Sequence, residues 1–199
     1  MRASFPSIAT GAALAALALT ACSGDAPEEE TAADLVIETA EDGTWTATAN
    51  RLGPVGADTP FNLQALQSVL PEFSLVEAEA FAEGMSYSVY EARRDAEGPA
   101  ELVFDGQEDM LLAVRIRSAG LIRAAADIGQ RAGAAGFTFE DCFPGVEERS
   151  GDVVCPDPRA NGLNYWIAVG HAGPDGELPP AEAIASGEVY EINWQPMAG

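Results

Sequence analysis

The chain has 199 residues and a formal net charge of −22, from 32 acidic residues against 10 basic ones. That length holds one domain with its own core, and a surface so acidic repels phosphate backbones, which excludes nucleic acid as a partner. All ten basic residues are arginine, and three Cys with a single His are too few for a Cys/His zinc cluster.

The first 21 residues read as a targeting segment. Arg2 supplies a short basic start, and the apolar run from Ile8 to Ala21 has 14 residues. As a helix that run spans about 21 Å, short of a hydrocarbon core of about 30 Å. It therefore reads as a secretory signal and not as a stable span. It ends in Leu19-Thr20-Ala21-Cys22, which resembles the bacterial lipobox. The Cys22 thiol would take a diacylglycerol through a thioether, and the new amino terminus an acyl chain such as palmitate. Two or three chains suffice for stable anchoring, at about 0.8 kcal/mol per buried CH₂. Ser23 after the cysteine favours the periplasmic leaflet of the outer membrane. Residues 22–33 carry four acids and no apolar periodicity, so they read as a solvated, self-repelling tether.

Residues 34–199 are expected to form a single periplasmic α+β domain. Residues 34–39 and 44–48 read as short strands around Glu41-Asp42-Gly43. Thr59 suits a helix N-cap and Pro60 the first turn; Phe61, Leu63, Leu66, Val69 and Leu70 follow at helical spacing, and Pro71 stops the run. Strands are predicted at residues 87–93, 101–105 and 110–117. In the last, Met110, Leu112, Val114 and Ile116 alternate inward, with Arg115 and Arg117 outward. The Ala-rich residues 124–135 read as a second helix, weakened by Gly133. Residues 153–155, 165–169 and 189–194 read as strands. The strands are expected to be mostly antiparallel, and the recurring order suggests two αβββ-like halves.

With Cys22 lipidated, Cys142 and Cys155 remain as an even pair in an oxidising compartment, which favours a disulfide across the Glu148-Arg149-Ser150-Gly151-Asp152 turn. Two free buried thiols are the alternative. Their spacing is unlike the Cys-X-X-Cys of redox-active pairs.

His171, the only histidine, follows a predicted strand and reads as a loop residue with a polar partner. No Gly-X-Ser-X-Gly elbow is present for it to serve as a base. Gly173-Pro174-Asp175-Gly176 is a turn by composition. Asp175 and Glu177 lack the regular oxygen-ligand spacing of a calcium loop. Glu28-Glu29-Glu30 and Glu147-Glu148 read as solvated charge. The sequence thus points to no catalytic residue, no metal and no cofactor. The distinctive loop carrying His171, Pro174, Asp175 and Glu177 is the candidate recognition surface.

Several pieces stand in a consistent order: the lipobox cysteine, Gly56-Ala57-Asp58-Thr59-Pro60-Phe61 opening a helix, the Cys142/Cys155 pair beside an acidic loop, Gly173-Pro174-Asp175-Gly176, Leu178-Pro179, and Ile192-Asn193-Trp194. In these the chain resembles the RpoE (sigma-E)-regulated lipoproteins, an envelope family with domain of unknown function 1131. The resemblance covers residues 55–195. It implies a periplasm-facing, lipid-anchored, non-enzymatic domain, with a link to envelope stress. The expected partners are the membrane, through the anchor, and an envelope protein. A second expectation, from charge, is inhibition of a cationic wall hydrolase of the lysozyme type.

Overall fold

A computed structural model describes residues 43–82, 84–159, 161–174 and 176–197 of the chain, all within one compact unit. The targeting segment, Cys22, the tether and the strand expected at residues 34–39 lie outside the described residues.

A short hairpin opens the described chain, β1 (Arg51–Leu52) with β2 (Val55–Gly56). Helix α1 (Leu63–Val69) follows, then a meander of β3 (Ser74–Ala82), β4 (Met85–Arg93), β5 (Leu102–Gln107) and β6 (Met110–Ile116). A second meander comprises β7 (Phe143–Pro144), β8 (Val153–Pro156) and β9 (Leu163–Ala168). Helix α2 (Ala181–Ser186) then leads to β10 (Glu188–Trp194). These strands make one eight-stranded antiparallel sheet in the order β3-β4-β5-β6-β10-β9-β8-β7. The last strand joins the two meanders by inserting between β6 and β9.

Among the described residues the fold is therefore mostly β, with antiparallel strands and two short helices, and the α+β label fits it only loosely. The second helix is not where composition put it. Residues 124–135 stay irregular because neighbouring segments take their backbone N–H groups. Ala125 N–H donates to the Tyr165 hydroxyl at 2.9 Å, Gly129 N–H to Val189 O at 2.8 Å, and Ala132 N–H to Gly187 O at 3.0 Å. Only a single 3₁₀ turn, Ala132–Ala134, forms there. The helix lies instead between β9 and β10, so the second half is not an αβββ repeat.

Helix α1 starts three residues later than expected. Asn62 is its N-cap, its Oδ1 accepting from Ala65 N–H at 2.9 Å, whereas the Thr59 hydroxyl accepts from Gly56 N–H at 2.9 Å and braces the preceding turn. Residues 44–48 make only isolated bridges, Trp45 with Ile122 and Ala47 with Leu52. β3 was not expected at all.

One face of the sheet carries the core. Leu102, Phe104, Val114, Ile116, Tyr165, Ile167, Ile192 and Trp194 pack there with Leu66 of α1, Leu70 at its C-cap and Ile184 of α2. Each large side chain buried in this way contributes about 1.5–3 kcal/mol. Trp194 also ties down the N-terminal segment, its indole N–H donating to Thr48 O at 2.8 Å.

Two bulges set which residues reach this face. Where β6 passes Asp105 and Gly106, two of its residues span one step of β5. The inward alternation expected at Met110 and Leu112 is thereby reversed: Leu111 is buried, while Met110 is 58% exposed and Leu112 45%. On β10 the shift falls between Val189 and Glu191. It lets Val189, Ile192 and Trp194 all face the core while Glu191 turns to the other side.

Candidate functional site

Neither helix packs on the opposite face of the sheet, and that face gathers charge. Alternate positions of four adjacent strands meet there: Asp105 on β5, Arg115 on β6 with Arg117 just after its end, Glu191 and Asn193 on β10, and Trp166 on β9. Arg149 joins them from the 3₁₀ turn Glu147–Arg149.

The charges are paired with care. Arg115 grips Asp105 through two hydrogen bonds, from Nε and Nη2, each 2.7 Å. Burial pulls the Arg115 pKa down, but Asp105 more than restores it, and the guanidinium is held above its ordinary value. Glu191 is only 2% exposed and sits in a clamp. Arg149 Nη2 donates to its Oε1 at 2.7 Å, and Arg117 Nε to its Oε2 at 2.9 Å. The Arg149 guanidinium also lies 4.2 Å from the Trp166 ring centroid. Burial pushes the neighbouring Tyr190 hydroxyl up to about 12, although Arg149 pulls it the other way. Between these groups lies an open concavity of about 350 Å³, with Tyr87 and Leu112 also on its walls. Asn193 Oδ1 is buried in its lining without a hydrogen-bond partner.

The disulfide belongs to this arrangement. Cys142 and Cys155 are joined, 13 residues apart in sequence, with Cα atoms 4.3 Å apart. They close the loop that carries Arg149. Within it Gly145 N–H donates to Asp152 O at 2.8 Å and Asp152 N–H to Arg149 O at 3.0 Å. Outside the clamp, Phe143, Val146, Glu147 and Glu148 are exposed, with Glu140 and Asp141 just before it.

The recognition loop expected around His171 lies elsewhere. His171 is half-buried, and its backbone N–H donates to Gly151 O at 3.1 Å. Its imidazole folds back over Gly173, where a Cβ would come 2.6 Å from Cδ2. Pro174 and Glu177 are exposed, and Glu177 N–H closes a turn onto Pro174 O at 3.2 Å. Asp175 lies outside the described residues. None of His171, Pro174 or Glu177 lines the concavity.

A second buried polar cluster stands at the far end of β8 and β9. The Tyr165 hydroxyl donates to Asp157, and Arg159 grips the same carboxylate with Nε at 2.9 Å and Nη2 at 3.0 Å. Burial raises the Asp157 pKa, but the hydrogen bonds from Arg159 and Tyr165 outweigh it and hold the carboxyl below its ordinary value. Tyr165 is pushed well above its ordinary value, first by burial and then by Asp157. This cluster reads as a structural tie, since Tyr165 is fully buried in the core.

Among the described residues, no three His, Cys, Asp or Glu side chains converge as a metal-ligand set, and no helix is long and apolar enough to cross a membrane.

Fold and site together define an antiparallel sheet whose helix-free face holds an ordered array of ion pairs. The family model described as a protein of unknown function, DUF1131, matches residues 41–196, and the chain belongs to that family. Among solved structures it is similar to the uncharacterized protein YfeY from Escherichia coli, with a TM-score of 0.60 and 19% identity over 75% of this chain and 99% of that one. That likeness concerns the fold alone. No curated protein matches the chain.

Proposed function

We propose that the chain is a lipid-anchored cell-envelope protein that faces the periplasm from the outer membrane and binds a ligand or partner without catalysing a reaction. The observation that carries the binding role is the open concavity on the helix-free sheet face. It is lined by charges already neutralised in pairs and by one buried acceptor that nothing satisfies. Paired guanidinium and carboxylate groups hold a surface in shape. The anchor rests on Leu19-Thr20-Ala21-Cys22 after a 14-residue apolar run, and the outer-membrane placement on Ser23. A role in envelope stress rests on the family resemblance.

The experiment combines fractionation with capture. Wild-type chain should partition with outer membranes, and Cys22→Ser should leave an uncleaved precursor. Globomycin should cause the wild type to accumulate in the same form. Envelope components captured by the wild type should be lost with Arg115→Glu, which breaks the central pair. Soluble periplasmic product under globomycin overturns the anchor, and capture indifferent to Arg115→Glu overturns the binding face.

A second reading has its own observation. The disulfide-closed loop exposes Phe143 and Val146 among Glu140, Asp141, Glu147 and Glu148, and its one cation, Arg149, is withdrawn onto Glu191. An apolar knob ringed by acids suits a cationic wall hydrolase. Lysozyme turnover unchanged by a molar excess of the chain would remove this reading.

A further inference from the structure

We infer that the free edge of β3 docks an extended, basic segment of a partner protein, added to the sheet as a further strand and patterned apolar-x-basic-x-basic-x-apolar. This surface lies apart from the concavity and does not rest on the concavity being a binding site.

The edge itself is the first ground. The sheet ends in two unlike strands, β3 and β7. β7 has two residues and ends in Pro144, which has no N–H to offer, so that edge is blunted. β3 has nine residues, Ser74–Ala82, without Pro, Gly or bulge, and pairs with β4 in unbroken register from Ser74 opposite Arg93 to Ala82 opposite Met85. Among the described residues no strand pairs with its other side, so alternate main-chain N–H and C=O groups face outward there.

The second ground is what flanks this edge. Leu75, Glu77, Glu79 and Phe81 share one side of β3. Beside Leu75 an open groove of about 540 Å³ separates β3 from α1, lined by Leu63, Gln64, Gln67, Ser68 and Leu75. Leu63 is 44% exposed on its wall. Gln67 holds the groove in shape, its Nε2 donating to Leu70 O at 3.0 Å and to Phe73 O at 2.8 Å. A strand added to β3 turns alternate side chains to this side. The one opposite Leu75 enters the groove and is apolar. The two opposite Glu77 and Glu79 meet exposed carboxylates that have no cation among the described residues, and are basic. The one opposite Phe81, itself 71% exposed, is again apolar. The pattern reads the same in both chain directions, so parallel and antiparallel addition both satisfy it. The same carboxylates argue against a second copy of the chain. When two copies pair antiparallel about Ala78, Glu77 of each stands opposite Glu79 of the other, and like charges directly opposite destabilise the pair.

The test is fluorescence anisotropy of labelled heptapeptides titrated with the full chain in a non-ionic detergent, at about 0.15 M salt to damp the overall negative charge. The patterned peptide is Val-Thr-Arg-Thr-Arg-Thr-Val. A scrambled peptide has both arginines at one end, and an acidic one replaces them by Glu. The patterned peptide should bind with a Kd of about 100 µM or tighter, at least about tenfold tighter than the scrambled one. The chain carrying Glu77→Arg and Glu79→Arg, both at exposed positions, should keep the parent melting temperature, lose the patterned peptide and take up the acidic one. N-methylation of alternate amides should abolish binding when it falls on the groups facing β3 and spare it when it falls on the other set. No binding at about 1 mM, equal affinity for the scrambled peptide, indifference to the charge reversal, or equal binding by both N-methylated peptides overturns the inference. So does a parent chain that dimerises and loses its dimer on charge reversal, since a second copy then holds the edge.

Discussion

Arg149→Ala tests whether the ion-pair array is a structural clamp. Arg149 is the link between the disulfide loop and the sheet: it donates to Glu191 at 2.7 Å and stacks 4.2 Å from the Trp166 centroid. Its side chain is 29% exposed and that of Glu191 only 2%. Losing a charge-assisted hydrogen bond to a buried carboxylate costs about 1.5–3 kcal/mol, and the cation–π contact adds about 0.5–2. A net loss of about 3 kcal/mol is expected, in line with breaking one side of a buried pair. On a domain of this size it should lower Tm by roughly 6–12 °C. Glu191→Leu in the same background removes the half-paired carboxylate, and Arg117 can then turn to solvent. The double variant should therefore recover about 1–2 kcal/mol of the loss. Urea denaturation followed by circular dichroism, completed as a double-mutant cycle, measures both. A single variant within about 0.5 kcal/mol of the parent, or losses that simply add, would refute the clamp.

Four further outcomes follow. Replacing both Cys142 and Cys155 by Ala should cost about 3 kcal/mol, since the bridge closes a short loop, and should change Trp166 emission as Arg149 loses its hold; equal denaturation midpoints in the presence and absence of reductant would contradict this. Gly106→Ala should cost about 1–3 kcal/mol, because its Cβ would overlap the Phe61 ring and come 2.6 Å from Met110 O; the urea midpoint reads it. Asp157 has a folded pKa below the ordinary 3.8, so its contribution is complete above that value and is lost as pH falls through the depressed one. Midpoints measured from about pH 6 to pH 2 should show an acid loss that is smaller in Asp157→Asn. His171→Ala should shift stability by no more than about 0.5 kcal/mol, because the ring touches chiefly its own loop and its main-chain bond to Gly151 survives; a larger drop in Tm would show that the ring does more.

The strands that carry both a buried face and a strong β-propensity were legible: β4, β5, β6, β8, β9 and β10 all fall where apolar runs put them. What the sequence hid has local physical causes. β3 has Leu75 buried but Glu77, Glu79 and Phe81 exposed on the same side, so it lacks the apolar alternation by which an edge strand would be recognised. The inward assignment of Met110 and Leu112 assumed an unbroken period of two, which the bulge opposite Asp105 and Gly106 violates. Helix α2 did leave a signature, Pro179-Pro180 before it and Gly187 after it, but six residues give too little periodicity to register. The expectation of a helix at residues 124–135 weighed alanine propensity without the tertiary partners that take those N–H groups.

The site was hidden for a different reason. Its residues come from positions 87 to 193, and every charged one reads singly as solvated surface. The usable signal was scarcity. In a chain with 32 acids and ten arginines, the placement of each cation carries information that an acid's placement does not. Arg115 and Arg117 recur at alternate strand positions, as do Glu191 and Asn193, and alternation places each set on one face. Pairing β10 with β6 brings Asn193 opposite Arg115. The result is a concavity whose charges cancel locally on a molecule that is strongly anionic elsewhere. On the proposed binding reading, such a surface gains nothing from long-range steering, and a ligand there would be held by hydrogen-bond geometry at contact. Salt therefore separates the two surfaces: a ligand on the sheet face should hold its affinity as ionic strength rises, whereas a cationic partner on the acidic disulfide loop should lose it.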